Sequence, residues 1–347
     1  MVDLWFVLVC AMFAAYVVLD GYDLGAGILS PFVAKTDSER LTVLHTILPF
    51  WDGNEVFLVA GGASLYLAFP RLFPAFVSGF YLPVMMVLWL LMLRGLGIEM
   101  RHKLDQPLWN RLWDGSFFVS SAGLVLFYGV ALGNIVRGVS VDANGDFFAA
   151  LWTNFRVGDD VGIFDWYTSL VGVVAVVVVT RHGALRLAAR TDPGSPVHVR
   201  SLRIVHLLVA PCVILGALTT VATFFVQPRL EAAVRIRPWI GVFAALALAG
   251  LVASELLVRT ARENRLESAF RASSCGLVGL FAAACVGVHP YGLVARIAER
   301  SVLLRDAAAD DHALEVGLIW WIPGMLGVVG YSIFAHCRLL RGSAASE

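Results

Sequence analysis

Two aspartates three residues apart stand inside an apolar run, Leu19-Asp20-Gly21-Tyr22-Asp23-Leu24-Gly25-Ala26-Gly27. On a helix this spacing puts the carboxylates of Asp20 and Asp23 on nearly one face. Gly21 and Gly25, at i and i+4, let a second helix approach closely. A second acidic group lies in Pro49-Phe50-Trp51-Asp52-Gly53-Asn54-Glu55, a turn-forming stretch that leads into the next apolar segment. Asp52 can cap that helix N-terminus, or it can serve chemistry, with Trp51 and Asn54 beside it at an interface. The basic counterpart is Arg94-Gly95-Leu96-Gly97-Ile98-Glu99-Met100-Arg101. Arg94 and Glu99 are five apart, too far round one helix for an ideal pair, so Arg94 is expected to reach a carboxylate on a neighbouring helix, Asp23 or Asp52. Ionisable groups at membrane depth cost roughly 2.5–3.5 kcal/mol each on insertion scales, so they pair or line a water path. Clustered carboxylates beside an arginine can pass a proton along a water chain, because neighbouring charges tune how readily each exchanges it. A purely structural ion-pair network has the same sequence, and the residues alone leave both readings open.

The elements that hold these groups follow from composition. Of 347 residues, 59% are hydrophobic and 15% charged, and the mean hydropathy is +0.78; a soluble domain carries about 25% charged residues. Lys plus Arg equals Asp plus Glu at 26 each, which argues against a nucleic-acid footprint. About 20 apolar residues cross a bilayer, and nine segments qualify: 4–29, 53–70, 74–98, 114–136, 161–183, 202–226, 238–258, 270–288 and 315–339. The second is weakened by Gly53, Gly61 and Gly62, so eight is the alternative count. Backbone pairing in lipid leaves helices or closed barrels, and the alternating barrel pattern is absent. The expectation is an all-α integral membrane protein, one domain over 1–347, with two four-helix groups and one peripheral helix. The first run opens on Asp3 and lacks a basic leader and cleavage site, so it reads as a retained span. The stretch 184–200 reads as the midpoint linker.

Lys and Arg in the connections number sixteen on the side reached after odd-numbered spans, counting Arg181, Arg186, Arg262, Arg338 and Arg341, against nine on the other. This places the N-terminus outside and the C-terminus in the cytoplasm. Acidic outer loops are expected at 137–160, with Asp142, Asp146, Asp159 and Asp160, and at 289–314, with Asp306, Asp310 and Asp311. The five cysteines, including Cys337, form no metal spacing. The eight histidines, including His336, lie mostly at span ends or in loops; His206, inside a span, reads as a hydrogen-bonded packing residue. No metal site is expected, and no self-sufficient active site.

Taken together, the blocks resemble subunit II of cytochrome bd-type quinol oxidases. That family's Asp-Gly-aromatic-Asp-Leu-Gly-x-Gly run matches residues 20–27, and Trp51-Asp52-Gly53-Asn54-Glu55-Val56, Arg94-Gly95 to Glu99-Met100-Arg101, and Gly129 to Gly138 are similar too. So are Asp165-Trp166-Tyr167-Thr168 and His182-Gly183-Ala184 to Arg190-Thr191. Departures are Phe57 for a frequent Trp, Asp306 for an Asn, and Ala309 and Asp310 for serines. The resemblance implies a subunit in a bacterial or archaeal cytoplasmic membrane that packs against a haem-bearing subunit I and carries no haem ligand of its own. It implies haem b and haem d in that partner, oxidation of quinol, reduction of dioxygen to water, and room for a small single-helix subunit and a bound structural quinone or lipid. It further implies that Asp23, Asp52 and Arg94, with Asp20 and Glu99, line part of a proton path. A stand-alone proton-coupled carrier and a purely structural scaffold are the competing readings.

Overall fold

The computed structural model describes residues 1–104, 106–142, 146–159, 161–260 and 265–343, with side chains described up to 334. Asp160, Arg262 and the side chains of His336, Cys337, Arg338 and Arg341 lie outside the described residues.

The apolar runs become long helices because only the helix satisfies its backbone within itself in lipid. They are α1 (Val2–Val33), α3 (Trp51–Ala68), α5 (Tyr81–Met100), α6 (Pro107–Arg137), α7 (Trp166–Arg190), α8 (Pro196–Leu207) with α9 (Val209–Val226), α11 (Ile240–Arg259), α12 (Leu266–Val288) and α14 (Asp311–Ser343). Shorter helices α2 (Asp37–Ile47), α4 (Leu72–Gly79), α10 (Pro228–Ile236) and α13 (Leu304–Ala307) fill the connections. The α8–α9 pair is one span interrupted at Leu208, one turn before Pro211, which cannot donate to the carbonyl of Leu207. Among the described residues, eight helices are long and apolar enough to cross a membrane, α8 with α9 counted as one. The ninth expected segment is α3, 18 residues long, whose polar first turn keeps it below that threshold although it packs lengthwise on α1 and runs from one end of the bundle toward the other.

Two sequence expectations need correction here. Helix α7 continues to Arg190, so only residues 191–195 connect it to α8, not the whole stretch 184–200. Arg181 and Arg186, counted as connection charges, are buried within α7, which narrows the charge asymmetry between the two sides. The connection 289–314 also contributes a two-stranded antiparallel ribbon, β1 (Tyr291–Leu293) with β2 (Val302–Leu303), to the helical fold.

Glycine sets how closely the helices meet. Gly25 of α1 faces Gly183 of α7 so tightly that a Cβ on Gly25 would stand 2.5 Å from the Val179 carbonyl oxygen and 2.8 Å from the Gly183 Cα. The same device joins α11 to α12, where a Cβ on Gly250 would lie 2.5 Å from the Gly276 Cα. Helices α1 and α7 thus form the seam between the earlier spans (α1, α3, α5, α6) and the later ones (α7, α8–α9, α11, α12). Helix α14 lies outside both, held to α3 by Trp321 Nε1 donating to Ser64 Oγ (2.9 Å) and to α1 by Trp5 Nε1 donating to the Leu314 carbonyl (3.1 Å).

Each end of the bundle is tied by its own contacts. At the end holding the N-terminus, Ala309 N donates to Ala68 O (3.0 Å) and Arg296 N to Val139 O (2.9 Å). At the opposite end Asp114 takes Arg40 (2.7 Å) and Arg101 (2.6 Å), and Glu39 takes Arg200 (2.8 Å). The backbone N–H of Lys35 and the Arg200 guanidinium hold the Glu39 carboxyl below its usual range. Thr36 and Glu39 close a capping box on α2.

Replacing Gly25 by Val forces α1 off α7, because the atoms it meets are backbone and cannot rotate away. The expected cost is about 1–3 kcal/mol, read as a lowered thermal unfolding midpoint in detergent. Gly62→Ala, where nothing lies within 4 Å of the added carbon, should leave that midpoint unchanged.

Candidate functional site

The acidic and basic groups singled out by the sequence converge where α1, α3 and α5 meet. Asp20 stands 13 residues before the end of α1, about 20 Å along its axis. Arg94 of α5 meets it in a two-pronged pair, Nη1 to Oδ2 at 2.7 Å and Nη2 to Oδ1 at 2.5 Å, with both side chains fully buried. The second carboxylate paired with Arg94 is Glu55 of α3, its Oε1 3.2 Å from Nη1. The expectation that Arg94 reaches Asp23 or Asp52 is therefore corrected. Residues three apart are separated by about 60° around a helix, and that angle turns Asp20 to α5 and Asp23 to α3. Likewise Asp52 begins α3 on an exposed face while Glu55, three residues on, faces Arg94.

Asp23 is buried and accepts from Asn54 Nδ2 at 2.8 Å through Oδ2, while its Oδ1 has no hydrogen-bond partner among the described residues. Asn54 Nδ2 also lies 3.0 Å from Tyr22 Oη and 3.3 Å from the Leu19 carbonyl; two N–H groups serve three acceptors, so the amide holds α3 against α1 over a full turn. Trp51 lies beside Arg94, its ring centroid 6.0 Å from the guanidinium carbon. Gly21 and Gly25 meet α7 of this same chain, Gly21 facing His182.

Asp52 caps nothing with its side chain: the N-cap of α3 is Phe50, without a side-chain cap bond, and Asp52 sits in the first turn, where the helix dipole favours an acid. With Glu99, which is exposed and forms no ion pair among the described residues, it lines a cavity of about 320 Å³ between α3, the end of α5 and α14. Asn54 lines the same cavity. A water-accessible acidic space thus lies one side chain away from buried Asp23.

The cluster holds three carboxylates, Asp20, Asp23 and Glu55, around one guanidinium. Isolated buried carboxylates are costly; Asp20 is met by Arg94, Glu55 is partly exposed, and Asp23 is the one fully buried without a base in hydrogen-bonding contact among the described residues. Sequence reasoning passed over Glu55 as a site residue, although its i+3 spacing from Asp52 was the available signal. A second buried network was also missed: Arg181 meets Ser254 (2.9 Å) and Glu255 (3.2 Å), and Glu255 also takes His206 (2.8 Å) and Arg259 (2.7 Å).

Three of the histidines, His182, His198 and His206, are engaged in packing bonds. His182 bridges Ser273 (3.0 Å) and the Val18 carbonyl (3.2 Å) and stacks on Phe270, His198 meets the Ala188 carbonyl (2.9 Å), and His206 meets Glu255. Among the described residues no three His, Cys, Asp or Glu side chains gather as metal ligands.

Removing one member of the Asp20–Arg94 pair leaves a buried charge uncompensated. Asp20→Asn or Arg94→Gln alone should cost about 3–5 kcal/mol, and the double change Asp20→Leu with Arg94→Met distinctly less than the sum, measured as a thermal or denaturant double-mutant cycle.

Comparison with known proteins places the chain among its relatives. The family model described as cytochrome bd terminal oxidase subunit II matches residues 1–338. A probable cytochrome oxidase subunit 2 from Haemophilus influenzae is 28% identical, covering 97% of this chain and 93% of its own length. The cytochrome bd-I ubiquinol oxidase subunit 2 of Escherichia coli K12 is 27% identical over 93% of this chain and 89% of its own. The cytochrome bd ubiquinol oxidase subunit 2 of Bacillus subtilis is also 27% identical, over 96% and 94%. The fold matches a chain of the bd oxidase structure from Geobacillus thermodenitrificans, with a TM-score of 0.76, 16% identity and 98% of both chains covered. The solute-carrier reading finds no support in these matches. A multi-pass membrane fold, a buried acid–arginine cluster in the expected motifs and a family match over nearly the whole length lead to one conclusion: the chain belongs to the cytochrome bd terminal oxidase subunit II family.

Proposed function

We propose that this subunit carries protons from the cytoplasmic side toward the oxygen-reducing site of a haem-bearing subunit I, within a quinol oxidase. The observation that supports this most is the step from open to buried acid: the cavity lined by Asp52 and Glu99 shares Asn54 with the Asp23 carboxylate. Asp52 and Glu99 gather protons from solvent. Asn54 fixes one oxygen of Asp23 and leaves Oδ1 open to take a proton. Asp20 stays locked by Arg94 and holds the guanidinium beside Glu55, so the electrostatic field around Asp23 does not depend on solvent. The pairing with Asp20 and Glu55 gives Arg94 a positioning role.

On this reading the chain spans the bacterial cytoplasmic membrane with its N-terminus outside and its C-terminus inside, as the excess of Lys and Arg at the α2 end favours. Quinol is oxidised at the partner, haem b and haem d reside there, and protons consumed when dioxygen becomes water are drawn from the cytoplasm. Exposed apolar side chains on α5, among them Leu88, Trp89, Met92 and Leu96, offer surface to lipid or to the partner. A small single-helix subunit and a structural quinone or lipid belong to the same reading.

In the purified complex, Asp23→Asn and Asp52→Asn should each slow quinol-driven oxygen uptake by about tenfold or more, in the range lost with a positioned proton-transfer group. Haem absorbance and the thermal midpoint should stay at wild-type values. Full turnover in both variants would reduce the cluster to a helix lock.

A further inference from the structure

Beside the acidic cavity lies a groove of about 620 Å³ of opposite character, bounded by one face of α2 and the end of α7. The two share Pro49 and Phe50. Ser38, Thr42 and His45 recur at i, i+4 and i+7 along the exposed side of α2, while Val43, Leu44 and Ile47 bury the other side. Arg190 closes the groove from α7, and no carboxylate lines it.

The charge there is unbalanced. Arg190 meets Glu267 of α12 through Nε at 3.1 Å, and Arg186, stacked on Tyr22 and Phe270, meets the same Glu267 at 3.6 Å. Two guanidiniums share the carboxylate of Glu267; Arg186 lies over Tyr22, next to the acidic cluster around Asp23, so the surplus that reaches the groove is the Arg190 guanidinium alone. Thr42 and Thr46 donate their hydroxyl protons to carbonyls of their own helix, so the donors facing the groove are Arg190, His45 and Ser38.

We propose that this groove binds the phosphodiester head group of an anionic phospholipid. A guanidinium in surplus with an imidazole and a hydroxyl suits a phosphate oxygen cluster. Basic pockets between spans at the membrane surface take such head groups. Phosphate alone would not need the apolar part of the lining; Leu41, Pro49 and Phe50 supply a surface for the glycerol backbone and the first acyl carbons. The site stands apart from the proton path and does not depend on it.

The test is native mass spectrometry of the purified complex, delipidated and titrated with dioleoyl phosphatidylglycerol, dioleoyl phosphatidylcholine or inorganic phosphate. Wild type should retain phosphatidylglycerol over phosphatidylcholine. Arg190→Gln should lower that retention by about tenfold, as expected for one lost charge-assisted contact, and Glu267→Gln, which breaks the ion pair but keeps the guanidinium, should preserve it. Should Arg190→Gln fail to assemble, His45→Gln with Ser38→Ala takes its place, with several-fold weaker retention expected. Equal retention of phosphatidylcholine, inorganic phosphate bound as well as lipid, or unchanged retention in the substituted proteins would each overturn the proposal.

Discussion

A guanidinium and a carboxylate, both stripped of solvent, face each other between α1 and α5. Removing either ion from water costs several kcal/mol, and only a two-pronged hydrogen-bonded geometry returns it. That requirement sets the depth of α5 against α1, since a shift of one residue, about 1.5 Å, would break both bonds. Helix α3 must then begin at the same depth, because Glu55 completes the Arg94 shell and Asn54 holds Asp23. The stretch 48–50, between α2 and α3, lines the acidic cavity together with the first turn of α3.

A second buried ion pair behaves differently. Arg137 ends α6 and Asp165 caps α7; they meet directly, and Arg137 also donates to Asn134 (2.6 Å) and to carbonyls of residues 138 and 162. A base at a helix C-terminus and an acid at an N-terminus each suit the helix dipole, and the Asp165–Thr168 capping box completes the acid's bonds. Every group there has its partner, so the pair locks the turn between two spans. In the Asp20–Arg94 cluster carboxylates outnumber bases and one oxygen of Asp23 stays open. On the proposed proton-path reading, this incomplete satisfaction beside the cavity lined by Asp52 and Glu99 is what separates the cluster from a lock.

The apolar framework serves these polar sites through close backbone approach. Gly25 against Gly183 brings α1 and α7 together one turn beyond Asp20, and Gly129 against Gly172 joins α6 to α7, with 2.8 Å from the added Cβ position to the opposing Cα. In lipid, where apolar surface gains little by burial, such contacts carry packing that larger side chains would prevent. Helix α14 makes no glycine contact of this kind with the described residues of α1 beyond Gly317 near Trp5. Trp320 and Leu326 on its surface remain exposed, as befits a peripheral span in a subunit that assembles with a partner.

The spans and their number, within one, were legible because lipid demands about 20 apolar residues per crossing, and charges inside such runs are conspicuous: Asp20, Asp23 and Arg94 stood out by type alone. Residue spacing also showed that Arg94 and Glu99 could not pair within α5. What spacing could not show was which of two acids 60° apart would meet the arginine, that Glu55 would join in place of Asp52, or that Arg181 and Arg186 lay inside the bundle. Those outcomes depend on the relative depth and rotation of α1, α3 and α5, which periodicity along a single helix does not encode. Sequence by itself therefore determined the membrane class and the family's blocks of residues. Only the tertiary structure decided the pairing of charges, because a buried ion pair is chosen by whole-helix packing, in which distant glycines and indoles count as much as the charged groups.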